Sequence, residues 1–261
     1  MMRLMNDDKR LTPSSRQARL PITYKQGHIA PLYKLLYCLL ACWLTVLSFA
    51  VPVAAAPAEI YLPNPDVVID AGHGGVDGGA SHGPWLEKDL NLALAKSLYR
   101  SLAAKHLIVA LNRTGDYALS DDNRWLRIPS RHKRDLAQRT GLANELRPKL
   151  LVSLHLNTSS DPRQSGPVVL HQRDTSSRLA AALIQQSLNR VYGTNSRAPA
   201  VGRTYYVLNH AACPAVIVEL GYLTNASDRS RLTTSHEQQR IVQALAEGIG
   251  QYLLIERVLG R

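Results

Sequence analysis

Three residues of this chain pair a chemically useful side chain with a position at the end of an apolar run, His73, His155 and Glu219, and a fourth, Glu87, opens a helix. His73 follows Val67-Val68-Ile69-Asp70-Ala71-Gly72 and precedes Gly74-Gly75, and glycines let the backbone turn tightly and leave the imidazole exposed at a strand's end. Glu87 sits in Leu86-Glu87-Lys88-Asp89-Leu90, where a helix opens. His155 closes Leu150-Leu151-Val152-Ser153-Leu154, and Glu219 closes Ala215-Val216-Ile217-Val218. Two histidines and a carboxylate form a zinc set that leaves a fourth position open for water, the pattern of catalytic sites. Zinc held in this way brings its water's pKa to about 7 and polarises a carbonyl. Hydrolysis of an amide then needs a second carboxylate, because the attacking water loses a proton and the leaving amine gains one.

Each residue also has an ordinary reading. A histidine after a strand is commonly a satisfied polar residue, and Glu87 is placed where a helix dipole favours a first-turn carboxylate. Glu219 is harder to explain away, since it ends a wholly apolar run and a buried carboxylate without a partner is costly. Nucleotide readings of the glycine-rich turn fail. The third glycine of G-x-G-x-x-G is replaced by Asp77, and no Gly-Lys-Ser/Thr follows. Cys213 as a thiol nucleophile is a further alternative, but it precedes Pro214 at a strand start with no helix N-terminus to activate it. It reads instead as a small packing residue.

The elements that must position these residues alternate. A strand at Val67 to Ala71 leads to a helix from about Glu87 to Lys105, whose stripe of Leu90, Leu92, Leu94, Ala95, Leu98 and Leu102 is amphipathic. A strand over Leu107 to Leu111 follows, implying a right-handed parallel crossover. A polar loop, Asp116 to Pro129, precedes a helix from Ser130 to Leu146, with Leu136, Leu142 and Ala143 facing inward. Its Arg131, Lys133 and Arg134 read as a solvated face. Leu150 to Leu154 is apolar throughout, as a strand covered on both faces requires. Further strands are expected at Gly166 to His171, Thr204 to Leu208 and Ala215 to Glu219, with helices at Ser176 to Val191 and Glu237 to Leu254. The pattern predicts one α/β domain, a mainly parallel twisted sheet with helices on both faces. Ligands bind such sheets at the carboxyl ends of the strands, where His73, His155 and Glu219 fall and over which Glu87 can bend.

The rest of the 261 residues is a leader. Residues 1–34 are polar and basic, contain three prolines, show no structural period and read as a disordered lead. Residues 35–58 carry no charge and end in Ala54-Ala55-Ala56-Pro57-Ala58. They read as an export signal cleaved at the small residues, or as a membrane anchor if retained. The basic flank orients everything after Ala58 outward, to the periplasm or cell envelope. Residues 1–58 hold seven of the 31 Lys/Arg and two of the 20 Asp/Glu, so residues 59–261 keep a net charge of +6 out of +11. A moderately basic exported domain suits an anionic polymer such as cell wall. Nucleic acid is disfavoured, because no helix-turn-helix, zinc finger or aromatic RNA-binding pattern is present. Cys38 and Cys42 lie in the apolar run, leaving Cys213 alone in the domain, so no internal disulfide can form there.

Val68-Ile69-Asp70-Ala71-Gly72-His73-Gly74-Gly75, Glu87-Lys88-Asp89-Leu90-Asn91-Leu92, Ser153-Leu154-His155-Leu156-Asn157 and Pro214-Ala215-Val216-Ile217-Val218-Glu219-Leu220-Gly221-Tyr222-Leu223-Thr224-Asn225 together resemble the zinc-dependent N-acetylmuramoyl-L-alanine amidases of bacterial cell-wall remodelling. The resemblance spans about Val67 to Leu254. It implies that His73, Glu87 and His155 bind Zn2+, that Glu219 is the catalytic acid/base, and that residues 59–261 form the catalytic domain. The substrate it implies is peptidoglycan, cut between the lactyl group of N-acetylmuramic acid and L-alanine, with a protein activator among the partners. Where many relatives carry Arg-Asn, this chain has Asn209-His210. The interval between His155 and Glu219 is too short for the helical insertion that shuts some members, so an open site is expected. The rivals are another zinc peptidase or deacetylase, and a non-catalytic peptidoglycan-binding or regulatory protein, which should lack one of the four residues.

Overall fold

The computed structural model describes residues 30–48, 63–121, 123, 125–194 and 197–260. The chain divides into two units, Met1–Ile60 and Tyr61–Arg261. In the first, a helix, α1 (Ala30–Ser48), has exposed side chains over residues 33–43. Among the described residues no helix is long and apolar enough to cross a membrane. The basic lead up to residue 29 and the alanine-rich end of the leader lie outside the described residues.

The second unit is built on a six-stranded sheet. β1 (Val67–Ala71) pairs in parallel with β4 (Val109–Leu111) on one side and β5 (Leu150–Asn157) on the other. β5 pairs in parallel with β8 (Ala215–Tyr222), and β8 pairs antiparallel with β6 (Val168–His171), which carries the short β7 (Ala200–Val201). The order is β4-β1-β5-β8-β6-β7. The sheet is mainly parallel as expected, with β6 and β7 running opposite to the other four strands.

Apolar residues run without a break through β1, β5 and β8 because both faces are covered. Side chains alternate between faces along a strand. Val67, Ile69, Val152, Leu154, Val216 and Val218 therefore join one cluster, while Val68, Leu151, Ala215 and Ile217 join another. The first is closed by α2 (Glu87–Ala103), α4 (Thr175–Tyr192) and α7 (Ser235–Val258), and the second by α3 (Arg131–Leu146) and α5 (Tyr206–His210). α3 and α4 start at side-chain caps, Ser130 accepting from the Lys133 amide and Asp174 from the Ser177 amide.

Several boundaries depart from the sequence expectation. Thr204 to Leu208 is not a strand. Tyr206 to His210 instead forms α5, with Val207 and Leu208 buried against the sheet, so packing overrides the β preference of an aromatic and branched run. Leu92 is only half-buried, while the polar Asn91 takes the buried place beside it. Leu136 and Leu142 are likewise half-buried. Several elements were not anticipated, the short β7 among them. A small hairpin, β2 (Ser81–His82) with β3 (Trp85–Leu86), lifts away before α2, and α6 (Ala226–Thr233) is started by Asn225, whose side chain accepts from the Ser227 and Asp228 amides.

Candidate functional site

β1 ends at Ala71, and the next residue, Gly72, lies against the His155 ring so closely that a Cβ would collide with it. The chain then turns through His73, which adopts φ +60°, a left-handed conformation that L residues adopt at a cost. Three successive carbonyls of this turn face inward onto two guanidinium groups. Arg113 donates to Ala71 O and Gly72 O, each at 3.0 Å, and Arg139 donates to Ala71 O and His73 O, each at 2.8 Å. Arg139 is itself held by Asp70 and Asp135, each at 2.6 Å, and the Asp70 carboxylate also accepts from Asn112 and Ser153. Asp70 is 1% exposed and Arg139 4%. Burial alone would raise the Asp70 carboxyl, but Arg139 and Ser153 hold it below its ordinary value.

Glu87 is the first residue of α2 and 2% exposed. Its Oε1 lies 3.1 Å from His73 Nε2 and 3.0 Å from His155 Nδ1, and accepts from the Leu156 amide at 2.9 Å. Oε2 accepts from the Ala80 amide at 2.7 Å. Burial pushes this carboxyl up, yet the two imidazoles beside it hold it well below the carboxylate range. The His73 and His155 rings stand edge to face, 5.0 Å between centroids. One donor atom from each of His73, Glu87 and His155 lies within 4.8 Å of the others. A buried carboxylate flanked by two imidazole nitrogens fits a divalent ion of the zinc type, for which nitrogen and carboxylate oxygen are ordinary ligands.

Glu219 stands beside this group. It is the cross-strand register partner of His155 on the adjacent parallel strand, and the ladder shifts register just beyond, between His155 and Asn157. The side chain is 8% exposed and accepts no hydrogen bond among the described residues. Burial pushes its carboxyl above the ordinary range, with His155 drawing it down and the Glu87 charge adding to the rise. All four residues line one cavity of about 490 Å³. The cavity is also lined by residues the sequence did not single out for it, His132, Tyr205 and Tyr206 among them. His132 was concealed within the basic start of α3, read as a solvated face, and the tyrosines within a segment read as a strand. Asn209 and His210 end α5, where His210 stacks on Tyr206 at 3.8 Å and Asn209 bonds to Arg203 O, so they serve the helix. Cys213 is buried among apolar neighbours, and burial lifts its thiol to about 11, in keeping with a packing role.

A family profile described as N-acetylmuramoyl-L-alanine amidase matches residues 67–251. The germination-specific N-acetylmuramoyl-L-alanine amidase of Bacillus subtilis is 29% identical over 75% of this chain and 83% of its own length. The uncharacterised protein YqiI of the same organism is 32% identical over 76% of this chain and 88% of its own. Among solved structures, the CwlD amidase of Clostridioides difficile, in complex with the GerS lipoprotein, is 30% identical with a TM-score of 0.67, covering 74% of this chain and all of that one. The catalytic domain of CwlV from Paenibacillus polymyxa is 32% identical with a TM-score of 0.61, over 72% of this chain and 98% of its own.

Proposed function

From the premise that this chain belongs to the N-acetylmuramoyl-L-alanine amidase family, we propose that it cuts peptidoglycan at a centre in which His73, Glu87 and His155 hold Zn2+ and Glu219 moves the proton. The reaction adds water across the amide between the lactyl group of N-acetylmuramic acid and L-alanine. The C–N bond breaks, the hydroxyl joins the lactyl carbonyl carbon, and the released proton ends on the alanine nitrogen. A zinc ion held by the three ligands would supply an acidified water and a polarised carbonyl. Glu219 accepts the water's proton on its carboxylate and returns it to the departing nitrogen. Its buried carboxyl, raised above the usual value, is suited to both steps because a proton carrier works best with a pKa near the working pH. Arg113 and Arg139 keep the His73 turn in one conformation, and the amides of Ala80 and Leu156 fix the Glu87 carboxylate.

The observation that supports this reading most strongly is the juxtaposition of Glu219, which accepts no hydrogen bond among the described residues, with His155 across one strand pair at the wall of the cavity. None of the four residues is replaced, which disfavours the binding-protein alternative. Action on peptidoglycan lies outside the cytoplasm, and we assign residues 1–58 to export, with residues 59–261 as the catalytic domain. A protein activator is proposed on the precedent of the CwlD relative, whose structure is a complex with a lipoprotein.

Purified peptidoglycan incubated with the full chain, with and without a zinc chelator, tests the reading by mass spectrometry. Free stem peptides beginning in an unblocked L-alanine, abolished by chelation, are expected. Cuts within the stem peptide would instead identify a peptidase.

A further inference from the structure

His73 has two ring nitrogens, and each faces a different carboxylate. Nε2 points to Glu87 Oε1, while Nδ1 lies 3.1 Å from Asp77 Oδ2. Asp77 stands where a nucleotide-binding turn would have its third glycine, and it is anchored independently of His73. Its backbone makes a reciprocal bridge with Gly74, through bonds of 3.0 and 3.1 Å, and its Oδ1 accepts from the Gly79 amide at 3.1 Å. That leaves Oδ2 for the imidazole. Gly79 in turn adopts φ +66° and sits so close to Glu87 and the His73 ring that a Cβ would strike both.

A neutral imidazole carries its proton on one nitrogen and its lone pair on the other, and the hydrogen bond at one decides which is free at the other. A proton on Nδ1, given to Asp77, leaves the Nε2 lone pair facing the space beside Glu87 and His155. A proton on Nε2 would instead point into that space and block it. We propose that Asp77 is a positioning residue of the centre, fixing the His73 tautomer and ring orientation so that Nε2 is delivered as a ligand. The inference rests on the zinc reading given above, since it assigns a role towards that ion.

Asp77 is partly exposed, at 26% of its side chain, so its substitution leaves the core intact. Two variants separate positioning from loop capping. Asp77→Asn can keep an oxygen for the Gly79 amide but offers an amide nitrogen to Nδ1, favouring the blocking tautomer. Asp77→Ala removes both contacts. Zinc affinity of the full chain is measured by chelator competition for the wild type, both variants and His155→Ala, alongside the melting temperature of each metal-free protein. The positioning role predicts that Asp77→Asn weakens zinc binding by about 10- to 100-fold, the usual scale for an outer carboxylate on a ligating histidine, with its metal-free melting temperature unchanged. If Asp77→Asn binds zinc as the wild type does and only Asp77→Ala is impaired, Asp77 merely caps the loop and the inference is overturned. If the wild type binds no zinc, or His155→Ala binds it undiminished, the metal reading itself falls, and this inference with it.

Discussion

β1 and β8 flank β5, and each delivers a site residue, His73 just beyond the end of β1 and Glu219 within β8 three residues before its end, yet the two exits are built in opposite ways. At the β1 exit, three carbonyls are held by two arginines, and the His73 ring is flanked by two carboxylates. On β8, Glu219 sits within the ladder, just before its register shift, and its carboxylate accepts no hydrogen bond among the described residues. A metal ligand must wait in one geometry, and buried charge networks can enforce that. A proton carrier must change partners during each turnover, and a carboxylate fixed by strong hydrogen bonds would be held in one state.

Substitutions that exchange these characters test the contrast, and the largest effect belongs to the ligand side. His155→Ala should lose tightly bound zinc altogether, read as metal per chain after dialysis, and with it all hydrolysis. A variant that keeps one zinc per chain would show the ligand set to be wrong. Glu219→Gln should cut turnover by about 10²–10⁴-fold while zinc content stays at the wild-type level. Loss of zinc in that variant would move Glu219 into the ligand set.

Stability effects come next. Arg139→Met strands Asp70 and Asp135 in the core, and breaking a buried pair in this way costs roughly 3–5 kcal/mol, measurable by urea unfolding of the metal-free chain. The Asp70 carboxyl lies below 3.8 in the folded protein, so its ionised form stabilises the fold above that pH, and the gain is lost as pH falls through the folded value. Asp70→Asn should therefore flatten the acid limb of stability below about pH 4, even though the variant is weaker overall. The smallest effect runs the other way. Glu219 has a raised carboxyl, so its charge costs stability at neutral pH and the cost disappears on acidification. Glu219→Gln should raise the melting temperature of the metal-free chain, each kcal/mol of relieved cost being worth about 2–4 °C at this size. No rise would mean that the carboxylate is better solvated than its burial suggests.

The two exits also differ in how far sequence revealed them. The apolar runs of β1, β5 and β8 and the alternation with helices announced the sheet, because burial on both faces leaves a continuous signal. His73, His155 and Glu219 stood out as polar residues ending such runs. What supports His73 left no comparable trace. Arg139 lies in the middle of a helix read for its basic start, and Arg113 follows an edge strand, so neither position carries a signal of burial. Tyr205 and Tyr206 were lost because an aromatic pair before Val207 and Leu208 suits a strand, and only packing against the sheet makes it the short α5. Asn225 did carry a helix-start signal, and α6 could have been found from it.

The pairing of His155 with Glu219 has one more consequence, for how the chain can vary. Between them the polypeptide makes a long excursion through β6, α4, β7 and α5 before returning as β8. The separation of the two side chains is nevertheless set by the ladder, at about the 4.8 Å spacing of neighbouring strands. Insertions and deletions in the excursion's connecting loops thus leave the gap between them unchanged, as a ruler is indifferent to the length of string beside it. A slip of one residue within β8, by contrast, would turn Glu219 to the opposite face of the sheet.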